Sequence, residues 1–482
     1  MGRSAPVAVQ RCVHPDCGSE YPILQVLAAC PKCVQDGRGE SLLDVAYDWD
    51  RAWRGKPKDF AHFLRPEALA LESGVWQFRE LMPFYRTEAD IATVGEGRTI
   101  LQRADALARV LGFRGTGAED RPGLYLQYEG MNPSGSFKDN GMAAGFTHAR
   151  MVGAKAVVCA STGNTSASMA LFAAQAGVRA YVFIGDGKIA FGKLSQALDY
   201  GAVTLQIAGD FDACLARVRT IAADPKNGLY LLNSVNPFRL EGQKSIMCRV
   251  LRDLGVGRGG SLPDWIVVPG GNLGNCSAFA KAFLELRAIG LIDRLPRLAV
   301  IVAEGAKTLD TLVNKHRLEW RPGGSNGSGF SGTYDLGLVG NEYARMEAAH
   351  EKASTIASAI EINRPVNLPK ALRALWAMNG MVRSVDDRTI IEHKALVGRH
   401  GFGCEPASAA SVAGARMLLK EGVIRPDERV VCILTGHQLK DPDATVKYHT
   451  ATDPWGPRLH ANRPIRVSDS LDDILRVITS AT

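Results

Sequence analysis

The chain has 482 residues, 46% of them hydrophobic and 22% charged, which is ordinary globular usage and enough length for roughly two to four structural units. Its 57 basic and 50 acidic residues leave a formal charge of +7 without any block of lysine or arginine, so we expect no nucleic-acid partner. The sequence has no apolar N-terminal stretch and no run of about 18 apolar residues, which argues against a signal peptide and a membrane span. Ten cysteines, most of them in apolar segments, favour a reducing cytoplasm over a disulfide framework.

The first predicted element is a cysteine-rich lobe at residues 1–48. Its C-x4-C … C-x2-C pattern is formed by Cys12, Cys17, Cys30 and Cys33. Thiolates at such spacings can surround a tetrahedral zinc ion, so we predict a zinc-ribbon-like lobe with these four residues as metal ligands. His14 lies inside the first pair as a rival ligand, and a reduced cysteine cluster without metal is the alternative.

A lysine follows a loop of small and turn-forming residues in GMNPSGSFKDNG, residues 130–141. Lys138 stands where this loop meets a helix-like run, residues 142–151. A lysine amine can form a Schiff base with a carbonyl group when burial leaves it unprotonated. Taken alone, Lys138 is more simply interpreted as a solvated lysine near a helix start, although the glycine and serine ahead of it would let the backbone approach a ligand.

The centre of the chain alternates strands with helices. Apolar, β-branched runs such as KAVVCAS, RAYVFIG, GLYLLNS, DWIVVPGG and RLAVIVAEG are separated by helix-like segments. Continuous apolar strands separated by helices predict a parallel sheet covered on both faces, and hence an α/β fold. The Gly- and Ser-rich segment at 321–334 is predicted to be a flexible loop.

Three further loops follow predicted strands, and each could bind a ligand. They are ASTGNTSAS at 160–168, PGGNLGN at 269–275 and LTGHQLKD at 434–441. The first offers hydroxyls and an amide at a helix start, the second exposes backbone N–H groups to a phosphate, and the third places a threonine at a strand end. Each alone is equally typical of an ordinary capped helix or turn. Strand ends of one parallel sheet face one crevice, so together with Lys138 they meet the needs of pyridoxal phosphate.

The blocks NPSGSFKDNGM, CASTGNTSAS, NSVNPFRLEGQK, PGGNLGN and LTGHQLKD resemble those of the threonine synthases, which are fold-type II pyridoxal-phosphate enzymes, and especially their longer, plant-like branch. The resemblance covers about residues 10–450. It implies a tryptophan-synthase-β-like α/β fold of two open-sheet domains with the cofactor in the cleft, beside the cysteine-rich lobe. We expect a large cofactor-binding domain at 49–150 and 240–482, and a small mobile α/β domain at 151–239.

The resemblance also implies a role for each matched residue. Lys138 would form the Schiff base with pyridoxal 5'-phosphate and be the catalytic residue. The other cofactor contacts are implied for Asn164 at the ring oxygen O3′, Thr435 at the pyridine nitrogen and, at the phosphate, Gly271, Asn272, Leu273, Gly274 and Asn275. Substrate contacts are implied for Ser161 and Thr165 and, at the substrate phosphate, for Asn233, Ser234 and Arg239.

The resemblance implies conversion of O-phospho-L-homoserine and water into L-threonine and phosphate by a cytoplasmic homodimer. Other fold-type II enzymes, such as cysteate synthase and threonine dehydratase, are the alternatives within the class. Dehydratases usually carry a run of glycines at the phosphate loop, whereas cysteate synthase shares more of the blocks. A zinc-ribbon binding protein with a degenerate enzyme body is the alternative outside the class, and the intact Lys138, Asn164 and Thr435 argue against it. Regulation by S-adenosylmethionine is not implied, because its binding residues have no clear match.

Overall fold

A computed structural model describes residues 6–64, 72–116, 121–185, 191–208, 211–323, 332–450 and 458–480. The N-terminal lobe is a small antiparallel sheet in the order β2-β1-β3. Its elements, with the short helix that follows them, are β1 (Ala8–Cys12), β2 (Glu20–Pro22), α1 (Pro31–Gln35), β3 (Leu43–Tyr47) and α2 (Trp49–Ala52).

A four-stranded parallel sheet lies within the segment predicted to form the small domain. Its order is β10-β9-β8-β11. The strands are β8 (Ala156–Ala160), β9 (Arg179–Gly185), β10 (Val203–Ile207) and β11 (Leu229–Leu231). The helices around them are α4 (Lys138–Met151), α5 (Asn164–Ala176), α6 (Phe191–Asp199) and α7 (Phe211–Ala223).

A six-stranded sheet in the order β16-β13-β12-β17-β7-β4 forms the larger body, and only its edge strand β4 runs antiparallel to its neighbour. The strands are β4 (Ile100–Arg103), β7 (Leu124–Tyr128), β12 (Trp265–Pro269), β13 (Arg297–Ala303), β16 (Met381–Val385) and β17 (Val430–Leu434). The main helices are α3 (Asp105–Leu111), α8 (Pro237–Asp253), α9 (Gly274–Ala288), α11 (Leu336–Ala348), α12 (Leu368–Ala377), α13 (Asp387–Arg399) and α14 (Pro406–Lys420). The remaining elements are β5 (Gly115–Thr116), β6 (Arg121–Pro122), α10 (Thr308–Asp310), β14 (Arg321–Pro322), β15 (Gly332–Thr333), α15 (Pro442–Thr450) and α16 (Leu471–Ser480).

The central strands of this sheet are apolar on both faces because helices cover both. In β12, Ile266 and Val268 point into one hydrophobic core, whereas Trp265 and Val267 point into the other. Successive side chains of a strand alternate between faces, so an unbroken apolar run indicates burial on both sides. The predicted parallel α/β fold is therefore confirmed.

Helix α8 is buried along most of its length, from Pro237 to Leu251, although its sequence is rich in charges. Two of its buried ions pair with each other and with α9: Lys244 contacts Glu241 at 2.6 Å and Glu285 at 2.5 Å. The Tyr47 hydroxyl of the lobe donates to Glu241 Oε2 at 2.7 Å. Because an unpaired buried ion is strongly destabilising, these pairs fix α8 between the lobe and the body.

The predicted flexible loop falls only partly within the described residues. Its flanks pair as β14 and β15, and residues 324–331 lie outside the described part of the chain. The division into a large and a small mobile domain stays a prediction. None of the helices described is both long and apolar enough to cross a membrane.

Candidate active site

Lys138 begins α4 at the bottom of a cleft, and the loop ahead of it is fixed by hydrogen bonds. Asp139 accepts hydrogen bonds from Ser134 N–H at 2.7 Å and from Ser134 Oγ and Ser168 Oγ, both at 2.5 Å. The Phe137 N–H donates to the Thr435 carbonyl oxygen at 2.9 Å. These contacts connect the lysine loop to the end of β17, where Thr435 lies.

The Lys138 amine is shifted toward its neutral form. Burial, reinforced by the positive charge of Arg239, lowers the pKa of Lys138 to about 7. A lysine in water has a pKa near 10.4 and is almost wholly protonated at neutral pH. The fold therefore supplies a half-buried lysine whose amine is substantially unprotonated at pH 7, which nucleophilic attack on a carbonyl requires.

The loop at 271–275 joins β12 to the N-terminus of α9. Leu273 adopts a left-handed conformation with φ of +62°, which turns the chain into the helix that starts at Gly274. The first N–H groups of a helix lack acceptors within it and carry positive potential, so they suit a phosphate. Asn275 Oδ1 is buried at this helix start and has no hydrogen-bond partner in the described residues.

The chain packs so closely behind this loop that a side chain at position 271 would have little room, which explains the glycine there. A Cβ atom built there would lie 3.0 Å from Ile360 Cα and 3.2 Å from its Cγ2. The loop is thus a close-packed backbone that leads into a helix N-terminus. The N–H groups at this helix start suit the phosphate of pyridoxal phosphate, and Lys138, whose pKa is lowered, suits its aldehyde.

A buried carboxylate links the two remaining cofactor residues. The Asn164 amide donates to Glu405 Oε1 at 3.2 Å and Oε2 at 3.0 Å, and Thr435 Oγ1 donates to Glu405 Oε1 at 3.1 Å. Ser408 Oγ lies 2.9 Å from Thr435 Oγ1. Burial raises the pKa of Glu405 above its ordinary value. The prediction did not include Glu405, although the signal was a lone acid in the run FGCEPASAAS before a helix-starting proline.

A cavity of about 680 Å³ joins these elements. Its wall includes every residue predicted to bind cofactor or substrate except Arg239, namely Lys138, Ser161, Asn164, Thr165, Asn233, Ser234, Gly271, Asn272, Leu273, Gly274, Asn275 and Thr435. It also includes residues that the sequence did not single out, among them Gln243, Glu405, His437 and Lys440. A ligand in this cavity would contact loops at the strand ends of both the four-stranded and the six-stranded sheet.

Arg239 lies behind the wall rather than on it. The side chain is fully buried, and its Nη1 donates to the Leu232 carbonyl oxygen at 2.8 Å. Its Nε and Nη2 atoms have no hydrogen-bond partner in the described residues, and burial lowers the pKa of Arg239 to about 10. The structure thus places it near Lys138, whose pKa it lowers, and its assignment to the substrate phosphate stays a prediction.

The Asn233 amide is already engaged in the fold. Its Oδ1 accepts from the Ala160 N–H at 2.9 Å, and its Nδ2 donates to the Ala160 carbonyl oxygen at 2.9 Å. These bonds hold the end of β8, from which Ser161 and Asn164 project. Asn233 lines the cavity, but its polar atoms position the neighbouring loop.

Lys440 brings a second amine to the cavity. Its Nζ donates to the Ser134 carbonyl oxygen at 3.0 Å and to the side-chain oxygen of Gln196. Burial lowers its pKa below the ordinary value. It follows β17 in the block LTGHQLKD, of which the sequence interpretation used only the threonine.

The four cysteines of the lobe lie together, away from this cavity. Their Sγ atoms are all within 4.8 Å of one another, and three of the four side chains are buried. The four predicted metal ligands are therefore neighbours in space, as a shared metal ion would require.

Comparison with known proteins agrees with this geometry. The family model described as pyridoxal-phosphate dependent enzyme matches residues 92–436. The threonine synthase of Methanocaldococcus jannaschii is 39% identical over 91% of this chain and 94% of its own length, and that of Methanosarcina acetivorans is 40% identical over 89% and 92%. The solved threonine synthase of Escherichia coli aligns over 98% of this chain and all of its own, with a TM-score of 0.58 and 15% identity, so it supports the fold alone. The chain belongs to the pyridoxal-phosphate dependent enzymes and, within them, to the threonine synthase family.

Proposed function

We propose that this chain converts O-phospho-L-homoserine and water into L-threonine and phosphate by β,γ-elimination and replacement, the last step of threonine biosynthesis. The observation that carries the proposal is identity of about two residues in five with threonine synthases along nine-tenths of the chain. The cavity supports it independently, because it gathers a half-buried lysine amine, a phosphate loop and two polar partners for a ring.

We propose a place in this cavity for each part of the cofactor. Lys138 would attach it, the backbone at 271–275 would hold its phosphate, Asn164 would bond its ring oxygen, and Thr435 would meet its ring nitrogen. Bound pyridoxal phosphate supplies an electron sink for negative charge that develops on the substrate carbon chain.

Lys138 is the proposed general base at the substrate Cα. Its lowered pKa leaves an unprotonated amine near neutral pH, where general-base catalysis is most effective. Asp139 is held by Ser134 and Ser168, so the backbone at the start of α4, from which the Lys138 side chain extends, is fixed. The same amine, once protonated, is available to return a proton to the carbon chain.

The Thr435 environment favours elimination chemistry. Thr435 Oγ1 lies 2.9 Å from Ser408 Oγ, and both groups are neutral hydroxyls. The proposed direct partner of the ring nitrogen is therefore a hydroxyl rather than a carboxylate. Such a neutral partner suits elimination and replacement better than transamination.

The substrate is proposed to bind at the strand-end loops of the four-stranded sheet. Ser161 and Thr165 offer hydroxyls at the N-terminus of α5, where positive potential attracts the substrate carboxylate. Ser234 and the Lys440 amine are proposed to receive the substrate phosphate, because Lys440 brings positive charge to the cavity wall. Arg239 contributes positive potential from behind that wall.

The activity is tested with purified holoenzyme and O-phospho-L-homoserine. We expect phosphate release matched mole for mole by L-threonine, measured by a colorimetric assay and amino-acid analysis. Sulfite offered against water distinguishes a cysteate synthase, and 2-oxobutanoate formed from threonine distinguishes a dehydratase. Phosphate release without threonine would overturn the proposal.

We also propose a homodimer in the cytoplasm. None of the ten cysteines forms a disulfide bond, as expected in a reducing compartment. The C-terminal helix α16 exposes Leu471, Leu475 and Ile478, apolar side chains that a second copy could cover. Light scattering after size exclusion should give twice the chain mass of 51.9 kDa, and a single chain mass would contradict the dimer.

A further inference from the structure

We propose that Cys12, Cys17, Cys30 and Cys33 bind one structural zinc ion. Cys12 Sγ lies 3.6 Å from Cys33 Sγ, and Cys17 Sγ lies 3.7 Å from Cys30 Sγ. Zinc binds thiolates at about 2.3 Å in a tetrahedron, whose sulfur–sulfur edge is then about 3.8 Å. The four sulfurs, all within 4.8 Å of one another, thus already have nearly the spacing that a tetrahedral zinc site needs.

The same distances argue against disulfide bonds in the lobe. A disulfide joins sulfurs about 2.0 Å apart, and the four cysteines are free thiols with larger separations. His14 is not part of the group of mutually close ligand atoms, and its Nδ1 accepts the Asp16 N–H at 3.2 Å. The ligand set is therefore four sulfurs.

Hydrogen-bond partners around the sulfurs suit thiolates. Ser41 Oγ lies 3.3 Å from Cys12 Sγ, Ser19 Oγ lies 3.3 Å from Cys17 Sγ, and Tyr21 Oη lies 3.1 Å from Cys30 Sγ. A hydroxyl can rotate to donate, and the His14 N–H already donates to Cys12 Sγ at 3.3 Å. Donors to the ligand atoms orient a metal site and stabilise its negative charge.

The site is structural rather than catalytic. Four protein ligands complete a tetrahedron and leave no position for water or substrate. One link between the lobe and the active site is indirect. Asp44 on β3 contacts Lys370 of α12, and Asn367 at the start of that helix donates to the Asn272 carbonyl oxygen at 3.1 Å. The zinc lobe would thus support the phosphate loop without touching the cofactor.

The first test is the metal content of holoenzyme purified without added metal. Inductively coupled plasma mass spectrometry should find one zinc per chain, and X-ray absorption should find four sulfurs at about 2.3 Å. Less than about one zinc in ten chains, iron in place of zinc, or a nitrogen or oxygen in the shell would overturn the assignment. Neither measurement requires a variant.

The second test uses substitutions. Cys17→Ser changes the partly exposed ligand, and we expect zinc content to fall at least about tenfold after dialysis against a chelator. Cys214→Ser changes a buried cysteine of the four-stranded sheet domain and should keep one zinc per chain. If Cys17→Ser does not fold, wild-type protein is titrated with a mercurial reagent and the released zinc is measured. We then expect zinc release to be complete when four thiols per chain have reacted. Equal zinc in both variants, or no zinc released, would overturn the proposal.

Discussion

At the scale of single residues, the ionisation of Lys138 governs how the enzyme acquires its cofactor. Only the unprotonated amine attacks an aldehyde, and the pKa of Lys138 in the folded chain is lowered to about 7. The rate at which apoenzyme incorporates pyridoxal phosphate should therefore rise between about pH 6 and pH 8 and then level off. Stopped-flow absorbance with borohydride trapping measures it.

The matched controls for this prediction are Lys138→Ala and Lys155→Ala. Lys138→Ala should lose trapped cofactor and lower kcat by about 10²-fold to 10⁴-fold, the usual contribution of a general base. Lys155 is exposed, so Lys155→Ala should change neither. A wild-type rate that continues to rise toward pH 10 would show an ordinary lysine and contradict the prediction.

Because Arg239 is buried near Lys138, we expect Arg239→Met to change the pKa of Lys138. Removal of its charge should raise the pKa of Lys138, because Arg239 is the second cause of the lowered value after burial. The inflection of cofactor incorporation should move to higher pH by about one unit, as expected for a nearby like charge. The exposed Arg217 provides a control in Arg217→Met.

Kinetics separate this role from direct substrate binding by Arg239. If Arg239 only sets the potential behind the cavity wall, KM for O-phospho-L-homoserine should change less than about threefold. A rise of about 100-fold in KM, the loss expected for a charge-assisted hydrogen bond, with an unmoved inflection would favour direct contact with the substrate phosphate.

The sequence predicted residues that combine a distinctive chemistry with a strand-end position. Lys138, Asn164 and Thr435 are of this kind, and the cavity brings them together. Glu405 was missed because its importance comes from its hydrogen bonds to Asn164 and Thr435, residues far away in the chain. Asn233 illustrates the converse, since the sequence cannot reveal that its amide is occupied by Ala160.

At the scale of elements, the junction of β12 with α9 depends on the absence of a side chain at Gly271. Gly271→Ala would place a Cβ 3.0 Å from Ile360 Cα, so the loop must shift by a few tenths of an ångström. We expect cofactor affinity to fall about tenfold, which corresponds to about 1.4 kcal/mol. Fluorescence titration of apoenzyme measures it.

Gly340→Ala is the control for this substitution. Gly340 lies in α11, and a Cβ there would meet no atom within 4 Å. Its cofactor affinity should equal that of wild type. Unchanged affinity in Gly271→Ala would mean that the close packing against Ile360 does not shape the phosphate loop.

Strands were easier to predict than the environment of the helices. β12 and β17 are buried on both faces, and this burial appears in the sequence as an unbroken apolar run. Helix α8 gave no such signal, because Arg249 and its fully buried partner Glu129 are separated by 120 residues in the chain. Charges indicate exposure unless the partner is known, so the burial of α8 could not be predicted.

At the scale of the whole molecule, the lobe and the body are joined by buried ion pairs. Asp44 contacts Lys370 at 2.9 Å and Arg373 at 2.7 Å. Burial alone would raise the pKa of Asp44, but the two cations outweigh it and hold the pKa below its ordinary value. Asp44→Asn should destabilise the chain by about 3 to 5 kcal/mol, because it leaves two buried cations without their anion.

The pH dependence of this loss follows from the sign of the shift. A lowered carboxyl pKa contributes stability that is fully present above the unfolded value of about 4, and this contribution is lost progressively as pH falls from there toward the lower folded pKa. Urea denaturation should show a large difference between wild type and Asp44→Asn at pH 7 and a smaller one at pH 3. Asp50→Asn, on the exposed face of α2, should match wild type, and an equal difference at both pH values would contradict the ion-pair account.

The strand order of the larger sheet constrains how the chain folds as it leaves the ribosome. β17 lies between β12 and β7, yet it is translated about 300 residues after β7 and 160 after β12. Until residues 430–434 emerge, β7 and β12 expose unpaired edges, which can pair with other chains. Domains usually fold in the order of synthesis, but this sheet cannot close in that order. Thr435, the proposed partner of the ring nitrogen, follows directly on β17, so the nascent chain cannot complete its cofactor site before its central strand is in place.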